Sequence, residues 1–271
     1  TIRGNRISIL DYIGYRNVRH LGLDSNNIRY LRDNCFKDLS VLESLVMENN
    51  DISGLQGSTF TGLASLRYLD ISYNNLYELV NGTFNGMVLP SLSDLRLTHC
   101  KINQIYPTAF LHLDKLTKLD LSFNDLPFAS PFMFPVLLSL TNLDLSHNQM
   151  GHTLQYPTFN NTRSLLTLDL SGNKILVIRS RAFIGLEQHL GELLLDHNGM
   201  YFIEEGSLNI LTNLSTLNIS HNSLQTLEMK DSEIFSISKL IVYSNPWGCE
   251  CENDWLLQHP AIATWNDNSS L

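Results

Sequence analysis

Apolar residues recur along the chain in one pattern, L-x-x-L-x-L-x-x-N-x-L, about every 24 residues. In a strand, successive side chains face opposite sides, so the leucines of L-x-L point inward and the x residues point outward. No single repeat can bury its apolar row alone, which predicts a stack of coils around one shared core. Ten repeats match, with these residues at the Asn position: Asn26, Asn50, Asn74, Cys100, Asn124, Asn148, Asn173, Asn198, Asn222 and Asn245.

A second apolar row follows each strand, in the segment that returns to the next repeat. We expect its aromatic rings to stack along the stack of coils: Phe36, Phe60, Phe84, Phe110, Phe134, Phe159 and Phe183. The buried Asn side chain carries two donors and an acceptor, and we expect it to satisfy backbone groups at the turn after each strand. The pattern thus predicts an α/β solenoid with a concave parallel sheet and an irregular or short-helical convex side.

These repeats resemble the typical-type leucine-rich repeats of extracellular receptors, over about residues 2–247. The next segment, Asn245-Pro246-Trp247-Gly248-Cys249-Glu250-Cys251, resembles the start of the disulfide cap that closes such solenoids. Toll-like receptor ectodomains and variable lymphocyte receptors share both features. The resemblance implies a leucine-rich-repeat horseshoe over residues 1–247, its first repeat partial, and an incomplete C-terminal cap over residues 248–271.

The four cysteines divide into two groups. The resemblance implies that Cys249 and Cys251 form disulfides with partners beyond Leu271, and that the chain is part of something longer. Cys35 lies directly before Phe36 of the aromatic row, and Cys100 takes the Asn position of its repeat. The two cysteines are about three repeats apart, which is too far for a disulfide. Both are predicted to be buried free thiols. A zinc site of Cys249, Cys251 and His259 is the alternative, which the cap resemblance disfavours.

The composition and the absence of known motifs argue against several classes of function. Hydrophobic residues make up 43% of the chain, and the formal net charge is −9. This acidity argues against binding nucleic acid, which requires a basic face. No apolar run is long enough to span a membrane. No phosphate loop, nucleophile elbow or zinc-protease motif is present, so we expect neither catalysis, nor a cofactor, nor a metal.

Five N-x-[S/T] sequons are candidate glycosylation sites: Asn81, Asn160, Asn213, Asn218 and Asn268. Together with the cap resemblance they predict an extracellular glycoprotein, either secreted or the ectodomain of an anchored receptor. Asn218 lies between two inward residues, Leu217 and Ile219, so a glycan there would cover the C-terminal part of the concave face.

The residues that flank the inward leucines of the central repeats define a candidate ligand-binding face. It comprises Tyr68, Asp70, Tyr73, Asp94, Arg96, His99, Lys118, Asp120, Phe123, Asn142, Asp144 and His147, together with Ser72, Thr98, Ser122 and Ser146. Aromatic and arginine side chains are favoured at interfaces. The competing explanation is that D-L-S-x-N is common filler in such repeats.

Two rows on this face allow more than one interpretation. Asp120, Asp144 and Asp169 would stand about 5 Å apart, which disfavours full ionisation. A cation site is one hypothesis, and solvated carboxylates screened by Lys118 and Arg96 are the favoured one. The residue before the Asn position is histidine in four repeats, His99, His147, His197 and His221. A pH-sensing row is one hypothesis for these histidines, and a tolerated polar residue is the favoured one.

The sequence therefore predicts a non-enzymatic extracellular recognition module. Innate-immune recognition of a protein or microbial surface ligand is the first hypothesis. An adhesion or guidance module that binds a host cell-surface protein is the alternative, and a matrix scaffold without a dedicated ligand is the third. A homodimer is a further option for its assembly.

Overall fold

The computed structural model describes residues 2–85, 87–130, 133–134, 137–154, 157–227 and 237–248. Its strands are short, and most coils contribute one strand to a main sheet before returning through turns. In chain order the strands are β1 Ile9–Leu10, β2 His20–Gly22, β3 Tyr30–Leu31, β4 Ser44–Val46, β5 Tyr68–Asp70, β6 Glu78–Leu79, β7 Asp94–Arg96, β8 Gln104–Ile105, β9 Lys118–Asp120, β10 Asn142–Asp144, β11 Gly151–Leu154, β12 Thr167–Asp169, β13 Lys174–Ile178, β14 Glu192–Leu194, β15 Phe202–Ile203, β16 Thr216–Asn218 and β17 Lys239–Ile241.

One ten-stranded parallel sheet runs through the described chain in the order β17-β16-β14-β12-β10-β9-β7-β5-β4-β2. Every predicted L-x-L segment contributes one of its strands. The register places equivalent residues side by side, as in Leu95↔Leu119 and Leu119↔Leu143. Because the register never slips, each repeat position forms a continuous row across the sheet. This confirms the predicted solenoid and its parallel sheet.

The leucines of these strands face a single shared core. Leu121 and Leu145 are fully buried, and all seven phenylalanines of the returning segments are buried as well. Their rings stack between coils, for example Phe36 on Phe60 at 6.5 Å between centroids and Phe84 on Phe110 at 5.9 Å. Fully burying one such side chain contributes about 1.5–3 kcal/mol, so the two rows supply the bulk of the stability.

The returning segments are irregular, as expected. Within the described residues they contain turns rather than helices, and they add three small parallel sheets: β1-β3, β6-β8 and β11-β13-β15. The sequence pattern does not predict these sheets, because pairs of two to five residues are too short for a hydrophobic alternation to stand out. None of the described segments forms a helix with the length and hydropathy needed to cross a bilayer.

A ladder of buried asparagines ties each coil to the one before it. The Asn124 amide donates to the carbonyls of Leu97 in the preceding coil (2.8 Å) and Leu121 in its own (2.9 Å). Its oxygen accepts from the backbone amides of Cys100 (3.0 Å) and Ile102 (2.9 Å). Backbone groups that the turn would leave unpaired are therefore satisfied by one side chain, as the sequence predicts.

Cys100 occupies the position of the ladder asparagine in its coil and lacks the side-chain amide. Its thiol reaches the carbonyls of Ile71 (3.3 Å) and Thr98 (3.5 Å), which replaces the donor half of an asparagine. The acceptor half is replaced by the backbone, because the Leu76 amide donates to the Cys100 carbonyl at 3.1 Å. Tyr77 and Lys101 beside this contact adopt positive φ angles of 58°. The backbone thus accommodates the substitution.

Both cysteines of the described chain are buried and free, which confirms the prediction for Cys35 and Cys100. Burial raises the pKa of each thiol to about 12. Since the thiolate is the reactive form, we expect both thiols to stay protonated and unreactive in the folded chain near neutral pH. The predicted disulfides of Cys249 and Cys251 lie outside the described residues.

We predict that Asn124→Ala lowers the free energy of unfolding by at least about 3 kcal/mol, because each buried backbone group left unpaired costs about 1–3 kcal/mol. Urea unfolding measures this loss. Asp125→Ala is the control, since its side chain is exposed and the change should stay within about 0.5 kcal/mol. Equal losses in the two variants would contradict the role of the asparagine ladder.

We predict that iodoacetamide at pH 8 leaves Cys35 and Cys100 unmodified in the folded chain and modifies both once guanidinium unfolds it. Peptide mass spectrometry separates the two sites. Rapid labelling of either cysteine without denaturant would show that its thiol is neither buried nor held protonated.

Candidate ligand-binding surface

A cavity of about 390 Å³ opens on the concave sheet across β7, β9, β10 and β12. Leu119 and Leu143 contribute to its lining where the backbone comes near the surface. The polar lining consists of Asp94, Arg96, Lys118, Asp120, Asn142, Asp144, Thr167 and Asp169. The structure thus brings six of the candidate residues to one place, all from the middle of the sheet.

Three carboxylates form a row beside this cavity, because the register aligns Asp120 with Asp144 and Asp144 with Asp169. Each carboxylate accepts a hydrogen bond from the amide two residues later: Ser122 to Asp120 (3.0 Å), Ser146 to Asp144 (2.8 Å) and Ser171 to Asp169 (2.8 Å). The aspartate therefore closes the turn at the end of its strand, and this structural role accounts for its recurrence.

The middle carboxylate of this row, that of Asp144, has a raised pKa. Burial raises the pKa of Asp144 above its ordinary value of 3.8, and the neighbouring carboxylates of Asp169 and Asp120 raise it further. Hydrogen bonds from Ser146 act in the opposite direction. Within the described residues, no group of three or more His, Cys, Asp or Glu side chains is placed to hold a metal ion.

The N-terminal side of the face departs from the expectation that all flanking residues are exposed. Asp70 is 6% exposed, because the Tyr68 hydroxyl donates to its carboxylate at 3.0 Å and its other oxygen accepts from the Ser72 amide. Burial and the Asp70 carboxylate raise the pKa of Tyr68 to about 12. Asp70 therefore stabilises the sheet and offers little surface to a ligand.

Ser72, Ser122 and Ser146 are also buried, at 2%, 5% and 5% exposure. Each begins the turn that leads to the buried asparagine, where the chain leaves the open sheet. These three serines do not belong to the candidate surface, and this corrects the expectation for them.

Two cations contribute to the cavity differently. The Arg96 guanidinium lies over the ring of Tyr68, 5.2 Å from its centroid, and its Nε lies 3.5 Å from a carboxylate oxygen of Asp94. Lys118 is exposed, and none of the ion pairs among the described residues includes it. Lys118 is thus the cation in this lining with a charge available to a ligand.

An aromatic ladder, formed by Tyr73, His99, Phe123 and His147, runs along the end of the strands. Neighbouring rings stack at 4.5, 4.5 and 4.3 Å between centroids. All four residues have φ between 52° and 56°, so their side chains leave the backbone in the same direction. A second run, His197, His221 and Tyr243, continues further along, with His197 and His221 stacked at 4.1 Å.

The sequons lie in different settings. Asn81 is exposed and Asn160 half-buried. Asn213 is exposed, and its amide donates to the Gln188 carbonyl. Asn218 lies on the concave sheet as predicted, but both ends of its amide are used: it donates to Asp196 at 2.8 Å and accepts from the Ser220 amide at 3.1 Å. Asn268 lies outside the described residues.

Sequence reasoning left Thr167 out of the candidate site and considered Asp169 only as part of the aspartate row, although both residues line the cavity. The repeat pattern contains the signal for them, since they occupy the same positions as Asn142 and Asp144 one coil earlier.

The chain belongs to the leucine rich repeat family, whose pattern matches residues 16–76, 69–126, 90–150 and 138–188, more than half of the chain. It is 34% identical to mouse Toll-like receptor 7 over 140 residues, which cover 50% of this chain and 13% of the receptor. The chain spans about a third or less of the length of such curated relatives.

Solved structures of similar fold include the mouse RP105/MD-1 complex, with a TM-score of 0.78 at 22% identity over 95% of this chain and 44% of that one. The TLR13–ssRNA13 complex has a TM-score of 0.56 at 25% identity, covering 90% of this chain and 46% of that one. These likenesses support a family related to Toll-like receptor ectodomains.

We predict that Asp144→Asn raises the melting temperature at pH 7 by on the order of 2 °C. A raised carboxyl pKa means that the folded chain binds the proton more tightly than the unfolded chain, so ionisation costs stability as pH rises above 3.8. The gain should shrink as pH falls through that value. Asparagine keeps the turn bond, as Asn218 does with Ser220.

Thermal unfolding between pH 3 and pH 7 tests this, with the exposed Asp125→Asn as the matched control. A lower melting temperature for Asp144→Asn at pH 7 would show that the ionised carboxylate stabilises the sheet, contrary to the assignment.

Proposed function

We propose that the chain is a non-enzymatic extracellular recognition module that binds a protein or microbial surface ligand in an innate-immune setting. The observation that supports this most is the cavity between β7 and β12, which holds Lys118 and Arg96 beside the row of aspartates on a rigid sheet. Its walls are fixed by the register of the strands, so little ordering entropy is lost on binding.

The likeness to Toll-like receptor 7 supports the innate-immune setting. The partners named with the solved structures, MD-1 in one case and a single-stranded RNA in the other, belong to those proteins. For this chain we favour a protein or envelope ligand over nucleic acid, because carboxylates outnumber cations in the cavity by four to two and would repel a phosphate backbone.

Extracellular placement and glycosylation form part of the same proposal. Asn81 supports it best, since its side chain is exposed and the rest of its sequon lies on a turn. Its oxygen accepts from Thr108 at 2.8 Å, and the amide nitrogen that would carry the sugar is on the other side of the group.

We predict that Lys118→Glu weakens binding at least tenfold, because it replaces an exposed positive charge by a fifth carboxylate in the cavity lining. The melting temperature should fall only slightly, since residue 118 is exposed and the added repulsion is screened by solvent. The chain would be screened against purified lipopolysaccharide, peptidoglycan and flagellin and against a panel of host ectodomains. The affinity for whichever binds would then be measured in each variant.

Lys115→Glu is the matched control, since Lys115 is exposed in the same coil but lies outside the cavity. Binding lost only in Lys118→Glu supports the cavity. Equal affinities in the two variants would remove the cavity as the site, and binding confined to host ectodomains would argue against the microbial half of the proposal.

A further inference from the structure

The aromatic ladder is interrupted at Gly172, between His147 and His197. Gly172 occupies the same repeat position as the ring-bearing residues on either side and has a φ of 64°. Nine other coils have a residue other than glycine there, all with φ between 52° and 56°. The left-handed backbone therefore does not require glycine at this position, and the feature to explain is the missing side chain.

The imidazole of His147 explains the local fit. A Cβ at residue 172 would lie 2.5 Å from its Nδ1 atom, so the ring tips toward the place where the next ring would stand. The ring already stacks on Phe123 at 4.3 Å, so its centroid keeps its place in the aromatic ladder while its Nδ1 edge leans over Gly172. His147 and His197 are both exposed, so a partner side chain can reach both rings from solvent.

The dimensions suit one planar ring. Neighbouring strands lie about 4.8 Å apart, so residues two coils apart are separated by about 9.6 Å. The stacked neighbours of the two runs lie 4.1–4.5 Å apart, and two such steps fill this separation. One ring inserted above Gly172 would therefore stack on His147 on one side and His197 on the other, joining the two runs.

The charges around this gap indicate which class of partner could supply the ring. The strands beside it, β10, β12, β14 and β16, carry Asp144, Asp169 and Glu192 on their open face and have no Lys or Arg. Asp196 lies next to the gap as well, with its carboxylate 2.8 Å from Nδ1 of His197. Lys174, two residues after Gly172, is exposed as well, but the four carboxylates outnumber it. Such a field attracts a cation and repels a phosphate, which favours a basic protein segment over a nucleotide.

We propose that the gap at Gly172 is a binding slot for an aromatic side chain of a protein partner, flanked in that partner by a lysine or arginine. The ring stacks between His147 and His197, and the cation lies over the carboxylates of Asp144 and Asp169. This inference rests on the proposed recognition function and names the partner chemistry at one edge of the same face.

The test uses the peptide acetyl-Lys-Trp-Lys-amide as the probe and the chain labelled with ¹³C at its histidine rings. We expect upfield shifts of the His147 and His197 ring protons, while those of His99 stay unchanged. Acetyl-Lys-Leu-Lys-amide and acetyl-Glu-Trp-Glu-amide should give at least tenfold weaker binding, because the first lacks the ring and the second reverses the charge.

Gly172→Tyr fills the slot with the chain's own ring and should abolish the shifts. Asn49→Tyr is the matched control, since it adds the same ring at the same repeat position next to Tyr73, where φ is 53°, and it should bind the peptide normally. His197→Ser removes one wall without adding atoms, and we expect at least threefold weaker binding even if Gly172→Tyr fails to fold.

Several results would overturn the slot: no shift at millimolar peptide, equal shifts with the leucine peptide, normal binding by Gly172→Tyr, or adenosine monophosphate shifting the same protons more strongly than the peptide. The slot and the cavity can fail separately. A cavity ligand that still depends on Lys118 while the peptide does not bind removes the slot alone, and peptide binding without any effect of Lys118→Glu removes the cavity alone.

Discussion

The whole molecule depends on coils that cannot bury their apolar residues alone. Each strand is three residues long in the main sheet and has one fully inward leucine, so a single coil encloses almost nothing. Stacking makes the leucine and phenylalanine rows continuous, and the asparagine ladder satisfies the backbone where each coil turns. Hydrophobic burial provides the energy, while the asparagines fix the register, since one amide pairs with two coils at once.

That fixed register determines what the surface can be. Because equivalent residues line up coil after coil, any preference at one position becomes a row: aspartates beside the cavity, stacked rings along the strand ends. A row of like charges is unfavourable; after burial, which is the larger cause, the neighbouring carboxylates raise the pKa of Asp144 further. The chain retains the carboxylates because each also closes a turn, so the same residues serve the fold and give the concave face its charge.

Much of this could be predicted from the sequence. The ten strands, the buried Leu121 and Leu145, the phenylalanine row and the free thiol of Cys100 all follow from a pattern whose physical basis is local. The burial of Asp70 could not be predicted, because it depends on contacts of its carboxylate with the Tyr68 hydroxyl and the Ser72 amide, which the repeat pattern does not express. The aromatic ladder could not be predicted either, since its stacking requires the left-handed φ of Phe123 and its neighbours, which the pattern does not express.

Gly172 illustrates the remaining limit. In the sequence it is one glycine in a turn, where glycine is unremarkable. Only the geometry shows that the nine equivalent non-glycine residues adopt the same left-handed φ and that the ring of His147 leans over Gly172. The absence of a side chain at Gly172 can be interpreted only from its neighbours His147 and His197, which lie 25 residues before and after it in the chain.

The most direct measurement of the central claim is the free energy of unfolding across four consecutive positions, Lys118, Leu119, Asp120 and Leu121, each replaced by alanine. A shared core predicts that the loss alternates along the strand. It should be about 2–5 kcal/mol at Leu119 and Leu121 and about 0.5 kcal/mol or less at Lys118. The loss at Asp120 should be intermediate, because its carboxylate accepts the hydrogen bond that closes the turn. Losses of similar size at Lys118 and Leu121 would contradict the account.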